Sequence, residues 1–108
     1  MSIINLCQHA VNLSCGVVIA SSGIEARVAV NAVPVDVIAI DGKAVTVYEN
    51  EYGEVINLPE FQPGIFYVVS GQVRSALPGR TDLYSPGDLV RDEAGVVIGC
   101  RGLVRNKL

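Results

Sequence analysis

Five of the six arginines lie in the last third of the chain, and Arg80 lies in a loop-rich stretch, residues 78–92 (PGRTDLYSPGDLVRD). Arg80 and Asp82 are two residues apart, so in an extended loop their side chains lie on the same side. Guanidinium groups match the geometry of phosphate oxygens, and the ring of Tyr67 or Tyr84 could stack on a base. One interpretation is a site for a phosphate-bearing ligand. The other is an ion pair that holds the loop in place.

Other single side chains allow two interpretations in the same way. His9 is the one histidine of the chain, and it is either a structural hydrogen-bonding group or a donor to a ligand phosphate or base. Ser70 lacks the preceding glycine of a nucleophile elbow, which favours a helix N-cap over a catalytic nucleophile. Arg27 is one of two cations in the first two thirds of the chain. It could meet Arg91 and Arg101 within one subunit or across an interface.

Sequence signatures of several enzyme classes are missing. The glycines of the last third form neither G-x-x-x-x-G-K-[ST] nor G-x-G-x-x-G, which disfavours classical nucleotide hydrolysis. With one His, dispersed carboxylates and no C-x-x-C pair, the sequence predicts neither a metal site nor a cofactor. Cys7, Cys15 and Cys100 are predicted to be free, buried thiols. We therefore predict a protein that is not an enzyme, with a small phosphodiesterase or nucleotide lyase that uses His9 as the alternative.

Length and composition predict one domain, residues 1–108, because a chain of this size has room for one modest core. Half of the residues are hydrophobic and the mean hydropathy is +0.42. A homo-oligomer interface would bury the surplus apolar side chains. The net charge of −3 and a pI near 4.9 disfavour binding to a DNA or RNA polymer. No apolar run reaches the roughly 18 residues that cross a bilayer, so we expect no membrane partner and a cytoplasmic location.

Short runs of Val and Ile between Gly, Pro, Asn and Asp predict strands over most of the chain. The Asp41-Gly42 pair predicts a two-residue hairpin turn, and Asn50–Gly53 predicts a second turn. A short helix follows Ser70, and a hairpin loop is expected at residues 92–95. The fold class is therefore α+β, predominantly β and sandwich- or barrel-like, with eight or nine strands and one short helix. The first six strands are predicted at Ile3–Cys7, Ala10–Leu13, Val17–Ala20, Ile24–Val30, Val35–Ile40 and Ala44–Tyr48.

Five strings spread over nearly the whole chain resemble a group of short bacteriophage-encoded proteins of uncertain function: NLCQHAVNL, SSGIEARV, LPEFQPGIFYVVS, LPGRTDLYSPGDLVRD and GVVIGCRGL. Phages encode small, oligomeric, β-rich proteins that trap the nucleotide signals of bacterial immune systems such as CBASS and Thoeris. The resemblance, with the small size and the loop arginines, implies a sponge that sequesters a cyclic oligonucleotide or an ADP-ribose derivative in the infected host cell. A structural or protein-binding phage protein is a further alternative. The ligand-binding residues expected from the matched strings are His9, Arg27, Tyr67, Ser70, Arg80, Asp82, Tyr84, Arg91 and Arg101.

Overall fold

Strands make up most of the computed structural model, which describes residues 2–108. Strands cover 56% of the chain and helix covers 6%, which confirms the predicted β-rich α+β class with one short helix. In chain order the elements are β1 (Ser2–Asn5), β2 (Val11–Asn12), β3 (Val18–Ile19), β4 (Arg27–Ile40), β5 (Lys43–Ile56), β6 (Ile65–Val68), α1 (Gly71–Ala76), β7 (Leu83–Arg91) and β8 (Val97–Arg105).

A four-stranded sheet in the order β1-β6-β7-β8 forms the body of the molecule. Strand β6 runs parallel to both β1 and β7, while β7 and β8 form an antiparallel hairpin. Strand β6 is buried on both faces, as its continuous apolar sequence predicts. Tyr67 and Val69 face one core cluster with Leu83. Val68 faces a second cluster with Cys100.

Helix α1 connects the parallel strands β6 and β7, and it begins where the sequence predicts. The Ser70 hydroxyl accepts a hydrogen bond from the Val73 amide at 3.2 Å, which makes Ser70 the N-cap. Val73 is the buried residue of the helix and packs in the same cluster as Tyr67. The segment ends before Pro78 and Gly79, which cannot continue a helix.

Strands β4 and β5 form an antiparallel hairpin of two 14-residue strands. Its turn is the predicted Asp41-Gly42 pair, with φ angles of 51° and 75°. Val28 and Val55 pack against the core at the base of the hairpin. Beyond the base the hairpin projects as an arm, residues 30–52, in which most side chains are exposed. The radius of gyration is 16.7 Å, against about 13 Å for a compact chain of this length, and the projecting arm accounts for this difference.

The predicted turn at Asn50–Gly53 is wrong, because these residues lie inside β5. The predicted gap before Val35 is also filled, so β4 is one strand. Neither strand of the arm has a second neighbour in the sheet, so Pro34 need not donate a ladder hydrogen bond, and a bulge follows it directly. A β-carbon at Gly53 would lie 3.3 Å from the β-carbon of Ala29. Glycine therefore permits close packing here instead of a turn.

The cysteines are all free, as predicted, but they differ in exposure. Cys100 is buried, Cys7 is half-buried and Cys15 is exposed. The prediction of a buried thiol is therefore wrong for Cys15, which lies in the turn between β2 and β3. Within residues 2–108, no helix has the length and apolar character needed to cross a bilayer.

Candidate functional site

A cleft of about 510 Å³ lies at the base of the arm. Three segments line it: Cys7 and Gln8 after β1, residues from Ser21 to Arg27 around the start of β4, and Ile56 and Asn57 at the end of β5. The volume falls within the range of small-molecule sites, roughly 300 to 1,000 Å³. We call this cavity the arm-base cleft.

Asn5 positions Cys7, which lines the arm-base cleft. It is buried, and its side-chain amide donates to the carbonyl oxygens of His9 at 3.0 Å and Ile19 at 2.9 Å. Its side-chain oxygen accepts from the Cys7 amide at 2.8 Å. Asn5 thus ties the loop after β1 to β3, a hydrogen-bonding pattern available to a short amide side chain.

Hydrogen bonds hold the loop that precedes β4 against Cys7. The Ser21 hydroxyl donates to the Cys7 carbonyl at 2.8 Å and accepts from the Gly23 amide at 3.2 Å. Gly23 has a φ angle of 86°, which explains the glycine at this turn. Asn57 donates to the Glu25 carbonyl at 3.1 Å and so joins the end of β5 to this loop. Hydrogen bonds therefore connect the three segments that line the cleft.

Arg27 supplies the cation of the arm-base cleft. Its Nη2 donates to Glu25 Oε2 at 3.0 Å, and its side chain is 65% exposed. Such an exposed ion pair contributes only about 0 to 1 kcal/mol, so a ligand phosphate can compete with Glu25 for the guanidinium. Ile24 and Ile56 add exposed apolar surface to the walls. A cation beside apolar walls suits a ligand with both an anionic and a flat apolar part.

Cys7 lies in the cleft but is poorly suited to nucleophilic attack. Burial, and secondarily the Glu25 carboxylate, raise the pKa of the Cys7 thiol. A raised pKa keeps the thiol protonated at neutral pH, whereas the thiolate is the reactive form. Cys7 is therefore not an activated nucleophile.

Arg80 and Asp82 form a closed pair at the start of β7. Arg80 Nε donates to Asp82 Oδ1 at 2.8 Å, and Nη2 donates to Oδ2 at 2.7 Å and to the Pro59 carbonyl at 3.0 Å. The Asp82 side chain is 1% exposed. The bidentate hydrogen bond from Arg80 outweighs desolvation and lowers the pKa of the Asp82 carboxyl. The pair holds the loop, as one of the two sequence interpretations expects.

Asn106 extends this pair into a network that the sequence did not indicate. Its amide donates to the carbonyl oxygens of Arg74 at 3.2 Å, Leu77 at 2.9 Å and Arg80 at 2.9 Å. Arg74 in turn donates to Asn106 Oδ1 at 3.1 Å and to the Ser85 hydroxyl at 2.8 Å. The network fixes the end of α1 and the loop that follows it. These side chains therefore have structural partners already.

Tyr67 and Tyr84 also have structural surroundings. Tyr67 is 2% exposed and lies in the core, so its ring has no free face for a base. Tyr84 packs edge-on against Phe66, with ring centroids 5.5 Å apart. Ser70 caps α1, as described above. Like Arg80 and Asp82, these residues belong to β6, α1, β7 or the segments that connect them.

The other predicted residues lie elsewhere. His9 lines a second cleft of about 350 Å³, which is mainly apolar and borders β8. Arg91 donates to the Gly95 carbonyl at 2.8 Å within the β7-β8 loop. Arg101 forms an exposed pair with Asp88 at 3.4 Å. Of the nine predicted residues, Arg27 alone lines the arm-base cleft, so the structure does not gather the set into one pocket.

Sequence reasoning missed Gln8 and Asn57, which line the cleft, and Asn5, which supports the cleft through Cys7. Asn5 could have been found, because an Asn that follows a strand often bonds the amide two residues later. Gln8 and Asn57 carry no local signal, since they come to the same cleft only when the loop after β1 and the end of β5 are brought together by the fold. Among residues 2–108, no group of three or more His, Cys, Asp or Glu side chains is arranged to hold a metal ion.

Comparison of the chain with models of protein families, with curated proteins and with solved structures finds no match.

Proposed function

We propose that the protein binds and sequesters a small phosphate-bearing nucleotide, a cyclic oligonucleotide or an ADP-ribose derivative, without cleaving it. The observation that carries the proposal is the arm-base cleft. There the Arg27 guanidinium, held only by an exposed ion pair with Glu25, lies beside two isoleucines and two side-chain amides. Its ligand would place a phosphate on Arg27 and a base against Ile24 or Ile56. Gln8 and Asn57 would supply hydrogen bonds.

The biological setting of this proposal is the cytoplasm of an infected bacterium. A sponge that holds a nucleotide immune signal lowers the free concentration of that signal, and no chemical step is needed. Sequestration needs no activated nucleophile, and burial raises the pKa of the Cys7 thiol that lines the cleft. This setting is the one that the resemblance to phage proteins, given above as an expectation, implies.

Substitution of Arg27 tests the proposal. With a panel of cyclic dinucleotides, cyclic trinucleotides and cyclic ADP-ribose isomers, Arg27→Ala should weaken binding by about 1.5 to 3 kcal/mol, the range for a hydrogen bond to a charged group. Isothermal titration calorimetry measures this directly. Arg101→Ala is the matched control, because Arg101 also belongs to an exposed ion pair but lies outside the cleft. Equal affinity for both variants and the wild type would remove the arm-base cleft from the site.

A role as a structural or protein-binding phage protein is the second candidate. Val96, Val97 and Ile98 are exposed at the tip of the β7-β8 hairpin, on a part of the surface that the arm-base cleft does not use. Exposed apolar clusters of this kind are typical of protein interfaces. Replacing Ile98 with Asp should abolish retention of a host protein on immobilised protein, with nucleotide binding unchanged.

A further inference from the structure

The two faces of the arm differ in charge. Side chains alternate between the faces of a strand, and cross-strand partners share a face, so the register of β4 and β5 assigns each residue. One face, which we call the tyrosine face, comprises the cross-strand pairs Val30–Tyr52, Ala32–Asn50, Pro34–Tyr48, Val37–Thr46 and Ala39–Ala44. None of these side chains carries a charge.

The opposite face carries the charged residues of the paired part of the arm. Asp36, Lys43, Glu49 and Glu51 alternate with the residues of the tyrosine face and therefore project away from it. The same face also carries five aliphatic side chains, Val33, Ile38, Ile40, Val45 and Val47. The two faces therefore differ in charge and not in apolar content. The uncharged face has no layer of the same chain over it: Tyr48 is 57% exposed and Tyr52 is 37% exposed.

A two-stranded ribbon with uncovered faces gains stability when a partner packs on one of them. An isolated hairpin is only marginally stable in water, because both faces of its two strands remain hydrated. Strands β4 and β5 pair only with each other, and within residues 31–52 every side chain except that of Val47 is exposed. Covering the tyrosine face would therefore stabilise the arm.

We propose that the tyrosine face packs on the tyrosine face of a second copy, with the two arms antiparallel about a two-fold axis at the Pro34–Tyr48 pair. The order of side-chain sizes along the face favours this partner. In that arrangement the large Val30–Tyr52 pair lies over the small Ala39–Ala44 pair of the second copy. The Ala32–Asn50 pair lies over Val37–Thr46. At the axis β5 crosses β5 of the other copy, so the two Tyr48 rings meet each other beside the two Pro34 rings.

Charge supports the same arrangement. Each chain has a net charge of −3, so a contact between identical acidic surfaces would be repulsive. Packing through the uncharged face places the acidic side chains Asp36, Glu49 and Glu51 on the outside of the pair of arms, where water screens them. In a two-fold dimer each favourable contact also forms twice, once on each side of the axis.

The contact is of modest size. Ten residues of strand, from Val30 to Ala39, extend about 33 Å, and two strands give ten side chains per copy. A standard interface has about 20 to 30 residues a side. We therefore expect a dimer that dissociates measurably in the micromolar range.

Sedimentation velocity tests the inference. The protein concentration runs from about 1 to 200 µM, a range around the expected dissociation constant. Reductant is present because Cys15 is exposed. The wild type should shift from the 11.4 kDa monomer to twice that mass as concentration rises. Thr46→Glu places a charge in the tyrosine face and should weaken the dimer by about tenfold or more. Val45→Glu adds the same charge to the neighbouring residue on the opposite face and should leave the dimer in place.

A pair of complementary variants tests the antiparallel arrangement. Ala44→Glu and Tyr52→Lys should each weaken self-association, because each introduces an unpaired charge into the contact. In a 1:1 mixture the introduced carboxylate of one chain meets the introduced ammonium of the other, while the opposite end keeps its native pairing. The mixture should therefore form more dimer than either variant alone.

Several results would overturn the inference. One is a wild type that is still monomeric at about 200 µM, the top of the range around the expected dissociation constant. The others are a dimer that persists in Thr46→Glu and a dimer that is lost equally in Val45→Glu. Failure of the complementary mixture to associate would overturn the antiparallel arrangement. Circular dichroism of each variant checks that loss of the dimer does not reflect loss of the fold, and an unfolded Thr46→Glu would be replaced by Ala44→Glu.

Discussion

At the scale of single residues, the carboxylate of Asp82 is almost completely removed from water, and both of its oxygens accept hydrogen bonds from Arg80. Asp82→Asn removes the charge and one of the two acceptors while keeping the size of the side chain. We expect the free energy of unfolding to fall by about 1.5 to 3 kcal/mol, the range for hydrogen bonds to charged groups. Urea denaturation measures this loss.

Asp88→Asn is the control for this substitution. Asp88 also pairs with an arginine, but both side chains are exposed and the distance is 3.4 Å. Its φ angle is 53°, a conformation that Asn tolerates. The unfolding free energy should change by no more than about 0.5 kcal/mol. A loss as large as that of Asp82→Asn would show that the buried ion pair stabilises the fold no more than the exposed one.

The lowered pKa of Asp82 gives the same pair a pH signature. A carboxyl whose pKa is depressed in the folded state stabilises the fold above its unfolded pKa, about 3.9. That contribution is lost as the pH falls through the depressed value. The difference in unfolding free energy between the wild type and Asp82→Asn should therefore be constant near neutrality and shrink below about pH 4.

Residue-level prediction from the sequence succeeded where the partners are close in the chain. Arg80 and Asp82 are two residues apart, and the Ser70 cap contacts an amide three residues later. Asn106 reaches back 26 to 32 residues for its acceptors, so its sequence neighbours contain no trace of its role. The arginine that lines the arm-base cleft was among the predicted residues, but its neighbours in the cleft were not.

At the scale of elements, β2 passes close to β8 at a glycine, next to the parallel bridge between Leu13 and Cys100. A β-carbon on Gly99 would lie 2.8 Å from the backbone oxygen of Asn12, closer than real contacts allow, so Gly99→Ala must push β2 away. We expect a loss of about 1 to 3 kcal/mol in unfolding free energy, typical of overpacking. Gly102→Ala in the same strand is the control, because nothing lies within 4 Å of its added carbon. Equal melting temperatures for the two variants would contradict this close approach.

Hairpins and caps were predictable from local signals, whereas the length of the arm was not. Asp41-Gly42 has the backbone conformation of a two-residue turn, and Gly95 has a φ angle of 81° in the β7-β8 loop. Pro34, Asn50 and Gly53 resemble strand breaks in sequence. In a two-stranded ribbon these residues are tolerated, because neither strand needs a second ladder.

At the scale of the whole molecule, the arm-base cleft is a product of tertiary assembly. Segments from residues 7–8, 21–27 and 56–57 line it, and the parallel pairing of β1 with β6 positions the first of them. Such long-range parallel pairing leaves no periodic pattern that distinguishes neighbours in the sheet. The sequence therefore predicted the class of the fold and one cation of the site, but not the cavity itself.

Sequestration of an intact nucleotide is the central claim, and one measurement tests it most directly. The purified protein is mixed with cyclic oligonucleotides and cyclic ADP-ribose isomers, freed of unbound ligand and denatured, and the released material is identified by chromatography with mass detection. Release of one unaltered nucleotide in stoichiometric amount is the predicted result. Altered nucleotide beyond one equivalent would show an enzyme, and release of nothing across the panel would contradict the account and favour the protein-binding role.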